Sequence, residues 1–264
     1  MDSFSSLLTT KMLPEAEAAQ EKSYVTYTLS SLFSSVPPTI TIHESRNLLG
    51  GTGTTGFRTW EACLHLGDFL CSASCPEHLS IEGKTVLELG AGTGYLSVLC
   101  SKYLGAHHVT ATDGFETVVD DLPNNFALNN LSLSPSLRTS LLKWGDPRMT
   151  ASWRYDPTFL EGEKPDIILG ADVTYDAAAL PALSVTLNAL LAEHKDAKVV
   201  IASTVRNEET YRKFLDLCEK YKFGVEDLGW EPKEVEDQDA PFYRTDMPVK
   251  IVKLTASPYE VPDM

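Results

Sequence analysis

The chain is poor in basic residues and has no long apolar run, and each absence excludes a class of protein. Lys and Arg number 22 against 37 Asp and Glu, which gives a net charge of −15. Proteins that bind nucleic acid draw on clustered Lys and Arg, so we expect no nucleic-acid partner. No apolar run approaches the roughly 20 residues of a membrane span, so we expect no membrane partner. An acidic surface attracts cationic partners such as a protein presenting lysine, although the same charge also keeps a protein soluble.

Cysteine is also scarce. The five cysteines are odd in number and contain no C-x-x-C pair, which favours reduced, buried thiols in a cytosolic or nuclear protein. Cys71 and Cys75 could share a helix face, but we expect no metal site there. The first residues, MDSFSSLLTTKML, lack the charged-then-apolar layout of a signal peptide. We expect the protein to be cytoplasmic and monomeric.

The organisation of the chain predicts an α/β fold with one large core. Its 264 residues are 43% hydrophobic, enough for a single domain at 51–264 preceded by a helical and extended segment at 1–50. Residues 1–35 carry a weak helical pattern, and TITIH at 39–43 alternates like an edge strand. A helix is predicted over 57–70. Further strands are predicted at 85–90, 108–113, 137–144, 165–172 and 198–204, and helices near 95–104, 115–131, 179–193 and 207–221. This alternation implies parallel strands with crossover helices on both faces, closed by an antiparallel hairpin of 223–230 and 249–256.

A glycine-rich stretch, VLELGAGTGY at 86–95, joins a predicted buried strand to a helix. Bare backbone N–H groups ahead of a helix N-terminus let a ligand approach closely. The dinucleotide fingerprint G-x-G-x-x-G fails because its third glycine would stand at Tyr95. The pattern E-x-G-x-G-x-G, with Glu88 inside the strand, instead resembles the nucleotide loop of S-adenosylmethionine-dependent methyltransferases.

A carboxylate follows at a distance suited to nucleoside recognition. The segment HVTATD predicts a second strand that ends at Asp113, which is 23 positions after Gly90. An acid at this strand tip can accept both ribose hydroxyls of a nucleoside, in NAD and S-adenosylmethionine enzymes alike. Asp113 thus predicts nucleoside binding, but it does not distinguish NAD from S-adenosylmethionine. The alternative is that Asp113-Gly114 forms only a turn.

The fourth parallel strand ends in ADVTYD, which places Asp172 and Tyr175 where an acceptor would meet the methyl donor. Methyl transfer to an amine needs a neutral lone pair aimed in line at the sulfonium, so a lysine must lose its proton and be oriented. A carboxylate can hold the ammonium, while a tyrosine can line the channel. The alternative is that Asp172 caps a helix and Tyr175 packs in a loop.

Two tryptophans are further candidates for the cofactor pocket. Trp144 is predicted to end the third parallel strand in LKWGD, where a flat ring can stack on adenine. Trp60, in TGFRTWEA, would close the pocket from outside the sheet. Taken alone, each is more commonly a core residue.

The motifs TGFRTWEA, VLELGAGTGYLS, ATDG, LKWGD and ILGADVTYD occur in that order over residues 55–176. As a set they resemble the family 16 protein methyltransferases, and TGFRTWEA and GADVTYD are most similar to eukaryotic elongation factor 2 lysine methyltransferases, fungal members included. The resemblance implies a Rossmann-like seven-strand class I methyltransferase sheet, S-adenosyl-L-methionine as cofactor and elongation factor 2 as protein substrate. It implies catalytic roles for Asp172 and Tyr175. Implied cofactor contacts come from Trp60, Glu88, Gly90, Ala91, Gly92, Asp113, Trp144 and Ala171. The family usually has a longer helical region before TGFRTWEA than this chain has.

Other functions remain open at this point. A nicotinamide oxidoreductase would need a glycine at Tyr95 and a hydride partner that the sequence does not offer. A methyltransferase of the same fold could act on a different protein lysine. A non-catalytic module could retain the cofactor fold, but the pair of Asp172 and Tyr175 argues against it. Methylation of a nucleic acid or a small molecule stays open as a weaker alternative within the same chemistry. The acidic charge and the absence of an Asn-Pro-Pro-Tyr motif after the fourth strand disfavour nucleic-acid bases and glutamine amides.

Overall fold

A computed structural model describes residues 21–32, 35–45, 55–145 and 164–256. Its strands are β1 (Lys22–Thr28), β2 (Thr39–Ser45), β3 (Thr85–Leu89), β4 (His108–Asp113), β5 (Leu137–Leu141), β6 (Ile167–Ala171), β7 (Lys198–Thr204), β8 (Gly224–Asp227) and β9 (Val249–Thr255). Its helices are α1 (Glu61–Cys71), α2 (Tyr95–Lys102), α3 (Glu116–Leu128), α4 (Leu180–Glu193) and α5 (Glu208–Lys220). Short 3₁₀ helices lie at Thr55–Phe57, Glu77–Leu79 and Val235–Asp237.

The main sheet has seven strands in the order β5-β4-β3-β6-β7-β9-β8. The strands from β5 to β7 run parallel, and β9 is inserted antiparallel between β7 and β8. The chain adds β4 and β5 on one side of β3 and then returns to add β6 and β7 on the other side. This change in strand order creates the switch point where doubly wound sheets bind ligands. The predicted α/β class, parallel sheet and terminal hairpin are confirmed.

Helices cover both faces of this sheet, and side chains of its strands pack into a hydrophobic core on each face. In β3, Val86 faces one hydrophobic core with α1 and α2, whereas Leu87 and Leu89 face the other with α4 and α5. Successive strand residues point to opposite faces, so a strand covered on both sides is buried along its whole length. Every residue of β3 is accordingly buried.

The first two strands differ from the prediction. They form a separate two-stranded antiparallel sheet rather than an edge of the main one. Residues 22–28, assigned to a weak helical pattern, are the strand β1, because KSYVTYT is rich in the aromatic and β-branched residues that favour strands. Ile40 and Ile42 of β2 are fully buried in the same core as α1 and α2. The apolar residues Leu7, Leu8, Ala16 and Ala19 of the predicted helical pattern lie outside the described residues, as do positions 46–54 and Asp146.

Some predicted element bounds also shift. The helix expected from residue 57 begins at Glu61, after the 3₁₀ turn Thr55–Phe57. The helix α5 begins where the sequence indicates, because the Asn207 side chain caps it by accepting from the N–H of Glu209 at 2.8 Å and of Thr210 at 3.1 Å. The strand predicted over 137–144 ends at Leu141.

Tyr95 stands where the dinucleotide fingerprint has its third glycine, and its side chain is fully buried. The ring packs against α1 at Gly67, where an added Cβ would lie 2.8 Å from the Tyr95 Cε1 atom. Gly67 of α1 therefore leaves the space that the Tyr95 ring of α2 occupies.

Within the described residues, no helix combines the length and apolar character that crossing a membrane requires. All five cysteines carry free thiols; Cys63, Cys100 and Cys218 are buried, and Cys71 and Cys75 are half-buried.

Candidate active site

The carboxyl edge of the sheet brings the predicted site residues together. The strand β3 pairs Leu89 with Gly170 of β6 and with Thr112 of β4. Residues one position further along, Gly90 after β3 and Asp113 at the end of β4, are therefore neighbours, since adjacent strands lie about 4.8 Å apart. Asp172 follows β6 at the same edge.

The backbone of the glycine loop has dihedral angles that residues with a side chain rarely adopt. Gly90, Gly92 and Gly94 have φ angles of 66°, 53° and 81°, a region that favours glycine because it has no Cβ. The N–H of Ala91 donates to the carbonyl of Thr112 at 2.8 Å, which ties the loop to β4. The loop thus forms a fixed backbone turn that opens α2.

Neighbouring segments contact this loop closely. A Cβ at Gly90 would lie 2.9 Å from the Val173 Cγ1 atom and 3.5 Å from the Trp144 Cζ2 atom. A Cβ at Gly92 would lie 3.2 Å from the carbonyl oxygen of Gly56. The turn that precedes α1 therefore covers the loop from one side, and the residue after Asp172 covers it from another.

Asp113 holds the glycine loop through its buried carboxylate. Its Oδ2 atom accepts from the N–H of Gly92 at 3.1 Å, and its Oδ1 atom accepts from the N–H of Phe115 at 3.1 Å. Burial raises the pKa of Asp113, while hydrogen bonds from the backbone of Phe115, Gly92 and Gly114 act in the opposite direction. A carboxylate can accept about four hydrogen bonds, so Asp113 keeps capacity to accept from a hydroxyl.

Glu88 lies beneath the loop, and only 2% of its surface is exposed. Ser97 of α2 donates its hydroxyl to the Glu88 carboxyl group. The pKa of Glu88 is raised to about 8, chiefly by burial and to a smaller degree by the nearby Asp113. The hydrogen bonds from Ser97 act in the opposite direction. The folded protein therefore holds Glu88 mainly protonated at neutral pH.

Trp144 lies three residues beyond β5, not at the end of a strand as the sequence predicted. The chain leaves the sheet after Leu142, whose N–H donates to the carbonyl of Asp113 at 2.8 Å. It then turns towards α4, where the N–H of Gly145 donates to the Thr186 Oγ1 atom at 3.0 Å. This turn holds the half-buried Trp144 ring against Gly90. Ala171, the last residue of β6, pairs with Ala202 of β7.

Trp60 immediately precedes α1 and contacts two arginines. Its Nε1–H donates to the carbonyl of Thr55 at 2.9 Å. The Cζ atoms of Arg58 and Arg206 lie 4.5 Å and 5.0 Å from the centre of its rings, within the range of cation–π attraction. The indole therefore joins the turn over the glycine loop to the segment after β7.

Asp172 is paired, whereas the sequence suggested a carboxylate open to an ammonium group. Its Oδ1 atom accepts from the Thr204 N–H at 2.8 Å, and its Oδ2 atom accepts from the Thr204 hydroxyl at 3.0 Å. The Arg206 guanidinium donates to both oxygens at 3.2 Å. Asp172 also has a φ of 52°, which is uncommon for a residue with a side chain. Several contacts thus fix this carboxylate at the edge of the sheet.

The pairing extends into a network that sequence reasoning missed. Arg206 also donates to the Glu61 Oε2 atom at 3.1 Å, and Arg58 donates to the Glu61 Oε1 atom at 2.9 Å. Arg58 and Glu61 stand inside the quoted motif TGFRTWEA, so their charges were available as a signal. Arg206 and Thr204 lie at the end of β7, and no motif marked them.

Tyr175 lies at the surface, and 53% of it is exposed. Its hydroxyl oxygen is 3.3 Å from the Thr55 Oγ1 atom. Tyr175 therefore reaches from the segment after β6 to the turn that covers the glycine loop. Within the described residues, no cluster of His, Cys, Asp and Glu could hold a metal ion.

Comparisons with known proteins agree with this arrangement. Residues 38–221 match the family described as "Lysine methyltransferase". The chain is 44% identical over 255 residues to the protein-lysine N-methyltransferase EFM3 of Chaetomium thermophilum, covering 96% of this chain and 74% of that protein. It is 30% identical to the human protein-lysine N-methyltransferase EEF2KMT, covering 82% of this chain and 64% of the human protein.

A solved structure shares the fold. SMU.776, a putative methyltransferase complexed with SAH, superposes with a TM-score of 0.56 at 15% identity, over 92% of this chain and 57% of that one. The resemblance inferred from the ordered motifs is confirmed. The family match spans most of the chain, and the glycine loop, Asp113 and Asp172 meet at one edge of the sheet. The chain belongs to the lysine methyltransferase family.

Proposed function

We propose that this protein methylates a lysine side chain of translation elongation factor 2 in the cytoplasm, with S-adenosylmethionine as the methyl donor. Its family membership establishes a methyltransferase that acts on protein lysine. The choice of elongation factor 2 is supported by TGFRTWEA and GADVTYD, and by identity to the relative named EEF2KMT. The acidic net charge of −15 suits a substrate that presents cationic groups.

The glycine loop and its surroundings fit the proposed cofactor. S-adenosylmethionine supplies a methyl group bound to a positively charged sulfur. Gly90, Ala91 and Gly92 leave bare backbone at the carboxyl end of β3, and the Asp113 carboxylate retains capacity to accept from a ribose hydroxyl. The Trp144 ring, held against Gly90, is suited to flank the adenine.

Three further positions at which the resemblance implies a cofactor contact are Trp60, Ala171 and Glu88, and their surroundings differ from one another. Trp60 lies in the segment that covers the loop and Ala171 ends β6, so both remain candidates for direct cofactor contact. Glu88 is buried under Ser97, and its proposed effect on the cofactor is to support the loop from below.

One contact carries the proposal that donor and acceptor meet at this edge. Val173, which follows Asp172, packs so closely on Gly90 that an added Cβ would lie 2.9 Å from its Cγ1 atom. The segment DVTY is therefore in van der Waals contact with the glycine loop. An acceptor held by Asp172 or Tyr175 would stand beside the donor, as an in-line displacement requires.

The pairing of Asp172 with Arg206 suggests how the acceptor is received. The Arg206 side chain is 31% exposed, whereas that of Asp172 is 5% exposed, so Arg206 covers the solvent side of the carboxylate. We propose that the ammonium group of the acceptor lysine replaces Arg206 on Asp172. Arg206 keeps a partner in Glu61 during this exchange. The lysine nitrogen must then release one proton to the solvent, after which its lone pair attacks the methyl carbon and the carbon–sulfur bond of the donor breaks. Tyr175 lines the channel and hydrogen-bonds this nitrogen.

The direct test is methyl transfer in vitro. Purified elongation factor 2, its lysine-to-arginine variants and total RNA are incubated with the enzyme and labelled S-adenosylmethionine, and the products are analysed by mass spectrometry. Label on one lysine of elongation factor 2, lost in the matching arginine variant, is the expected result. Label in RNA, or on arginine or histidine, would overturn the assignment. Label on a lysine of another protein in a lysate lacking the enzyme would keep the chemistry and replace the substrate.

A matched pair of variants tests the role of Asp172. Asp172→Asn preserves the side-chain shape but cannot neutralise an ammonium group, so kcat should fall by orders of magnitude. Affinity for S-adenosylhomocysteine, measured by calorimetry, should change far less because the effect concerns acceptor positioning. Asp176→Asn, at the exposed carboxylate four residues on, is the control and should retain activity. Unchanged turnover in Asp172→Asn would assign Asp172 to a structural role.

A further inference from the structure

A cleft of about 670 Å³ lies beside the candidate active site. One wall is formed by residues 25–28 of β1 and the opposite wall by residues 240–244, with Glu44, Arg58 and Glu61 among the residues between them. We name this feature the β1 cleft. It is distinct from the edge of the main sheet that bears the glycine loop.

The wall formed by β1 has a free strand edge. The N–H of Leu29 donates to the carbonyl of Pro38 at 2.9 Å, so in the register of this antiparallel pair residues 27 and 25 also face β2. Tyr24, Thr26 and Thr28 consequently direct their backbone N–H and C=O groups away from β2. In the described part of the chain, these outward groups have no hydrogen-bond partner.

The opposite edge of the same hairpin is protected. On β2, the N–H of Thr41 donates to the Asn129 side chain at 2.9 Å, and the N–H of His43 donates to the Asn125 side chain at 2.8 Å. The Asn129 amide also donates to the carbonyl of Thr41 at 2.7 Å. Exposed edges invite pairing with another chain, and proteins usually cover them. Since none of the described residues pairs with the β1 edge inside the cleft, this edge is suited to bind another chain.

The second wall is held in place. The Tyr243 hydroxyl lies 2.8 Å from the His65 Nδ1 atom of α1. The Gln238 side chain accepts from the Tyr243 N–H at 2.9 Å and donates to its carbonyl at 3.1 Å. Next to it, Phe242 is 65% exposed, a large apolar side chain that an occupant of the cleft would cover. The cleft is therefore preformed, which lowers the entropy that binding must overcome.

The cleft leads to the proposed acceptor site. Glu61 lines the cleft and accepts from Arg206, which in turn donates to Asp172. Only the Glu61 and Arg206 side chains would thus separate a chain segment bound in the cleft from the Asp172 carboxylate. The outward positions 24 to 28 span roughly 13 Å at about 3.3 Å per residue, enough to fix the direction of an extended segment.

We propose that the β1 cleft binds an extended segment of the protein substrate as an additional strand on β1, which directs the acceptor lysine towards Asp172. This inference rests on the proposed function. Backbone hydrogen bonds to Tyr24, Thr26 and Thr28 would hold the segment, as in other cases where a peptide extends a sheet. The substrate must therefore offer unpaired, extended backbone beside its lysine.

Hydrogen exchange of the wild-type enzyme tests the strand pairing directly. Amides of residues 24, 26 and 28 are followed with S-adenosylhomocysteine present, with and without purified elongation factor 2. They should exchange rapidly in the enzyme alone and at least tenfold more slowly with the substrate. Slow exchange in the enzyme alone would mean that the chain itself or a second copy covers the edge, which would overturn the proposal. Protection elsewhere but not on β1 would also overturn it.

Steady-state kinetics of Thr26→Pro give the second measurement. Proline removes the outward N–H and places its ring on the free edge, yet it leaves the backbone hydrogen bonds to β2 intact. It also removes the Thr26 hydroxyl, which lies 3.0 Å from the Thr41 hydroxyl of β2, so Thr26→Val, which lacks the hydroxyl but keeps the N–H, is measured beside it and should retain the wild-type KM. We expect KM for elongation factor 2 to rise at least tenfold, with kcat and S-adenosylhomocysteine affinity within twofold of wild type. Val225→Pro is the matched control, because Leu228 faces β9 and Val225 of β8 therefore points its N–H outward, away from the cleft.

The outcomes separate the two proposals. An unchanged KM in Thr26→Pro, while the wild type labels elongation factor 2, overturns the β1 cleft alone. If the wild type places no label on elongation factor 2, the proposed function fails and the cleft proposal fails with it.

Discussion

Replacing Glu88 with glutamine should make the protein more stable than the wild type at neutral and alkaline pH. The Glu88 carboxyl group is buried, and its side chain hydrogen-bonds to Ser97. Burial raises its pKa to about 8 in the folded state, from the 4.5 that is ordinary for a glutamate in water. Glutamine matches the neutral carboxylic acid in shape, but it has no proton to lose.

The magnitude follows from proton linkage. Below pH 4.5 both states of the wild type hold the Glu88 proton. Between pH 4.5 and about 8 the unfolded chain has lost it while the folded protein keeps it, so stability falls as pH rises. Each pH unit in that window costs about 1.4 kcal/mol, or roughly 5 kcal/mol over the whole window. This is a large share of the ~5–15 kcal/mol by which domains are usually stable.

The assay is urea unfolding of the cofactor-free protein at several pH values from 5 to 9. The difference in unfolding free energy, Glu88→Gln minus wild type, should increase steadily with pH and level off above pH 8. Glu219→Gln, at an exposed site on α5, should follow the wild-type profile because water solvates that side chain in both states. If the Glu88→Gln and wild-type profiles run parallel from pH 5 to 9, burial does not keep Glu88 protonated and the reasoning is refuted.

Much of the fold could be predicted from the sequence because its signals are local. Short apolar runs alternate with helical periodicity from residue 85 onward, and such alternation permits few topologies. The same reasoning placed the glycine loop, Asp113 and Asp172 at one edge, since carboxyl ends of parallel strands share an edge. The strand β1 was missed although YVTYT carries a strand signal, because the apolar spacing of residues 1–20 was extended across it.

The electrostatics of the site could not be predicted in the same way. Asp172 is paired with Arg206, which is 34 residues away in sequence and reaches it only because β6 and β7 are neighbours. Such a pair depends on where two strands end and which rotamers fit there. Trp144 shows a related limit: the run LLKW continues the strand pattern, but the backbone leaves the sheet after Leu142 and turns towards α4, where the Gly145 N–H bonds the Thr186 hydroxyl.

Three further predictions follow from the site. Gly90→Val should abolish S-adenosylhomocysteine binding in calorimetry, because its Cβ would lie 2.9 Å from the Val173 Cγ1 atom at a φ of 66°; retained binding would show that the loop is not the cofactor cradle. Asp113→Ala should weaken the same binding at least tenfold through loss of a charged acceptor, and equal affinity would leave Asp113 as a turn residue. Asp172→Ala and Arg206→Ala should be strongly coupled in a double-mutant cycle of unfolding free energies. The Asp172 carboxylate is almost fully buried, so removing Arg206 leaves a buried charge without its cation, whereas removing both does not. Because the Arg206 side chain is 31% exposed, water compensates part of the loss, and we expect a coupling of roughly 1–2 kcal/mol. Additive effects would mean that the pair does not hold the carboxylate in place, and that an incoming lysine need not displace Arg206 to reach it.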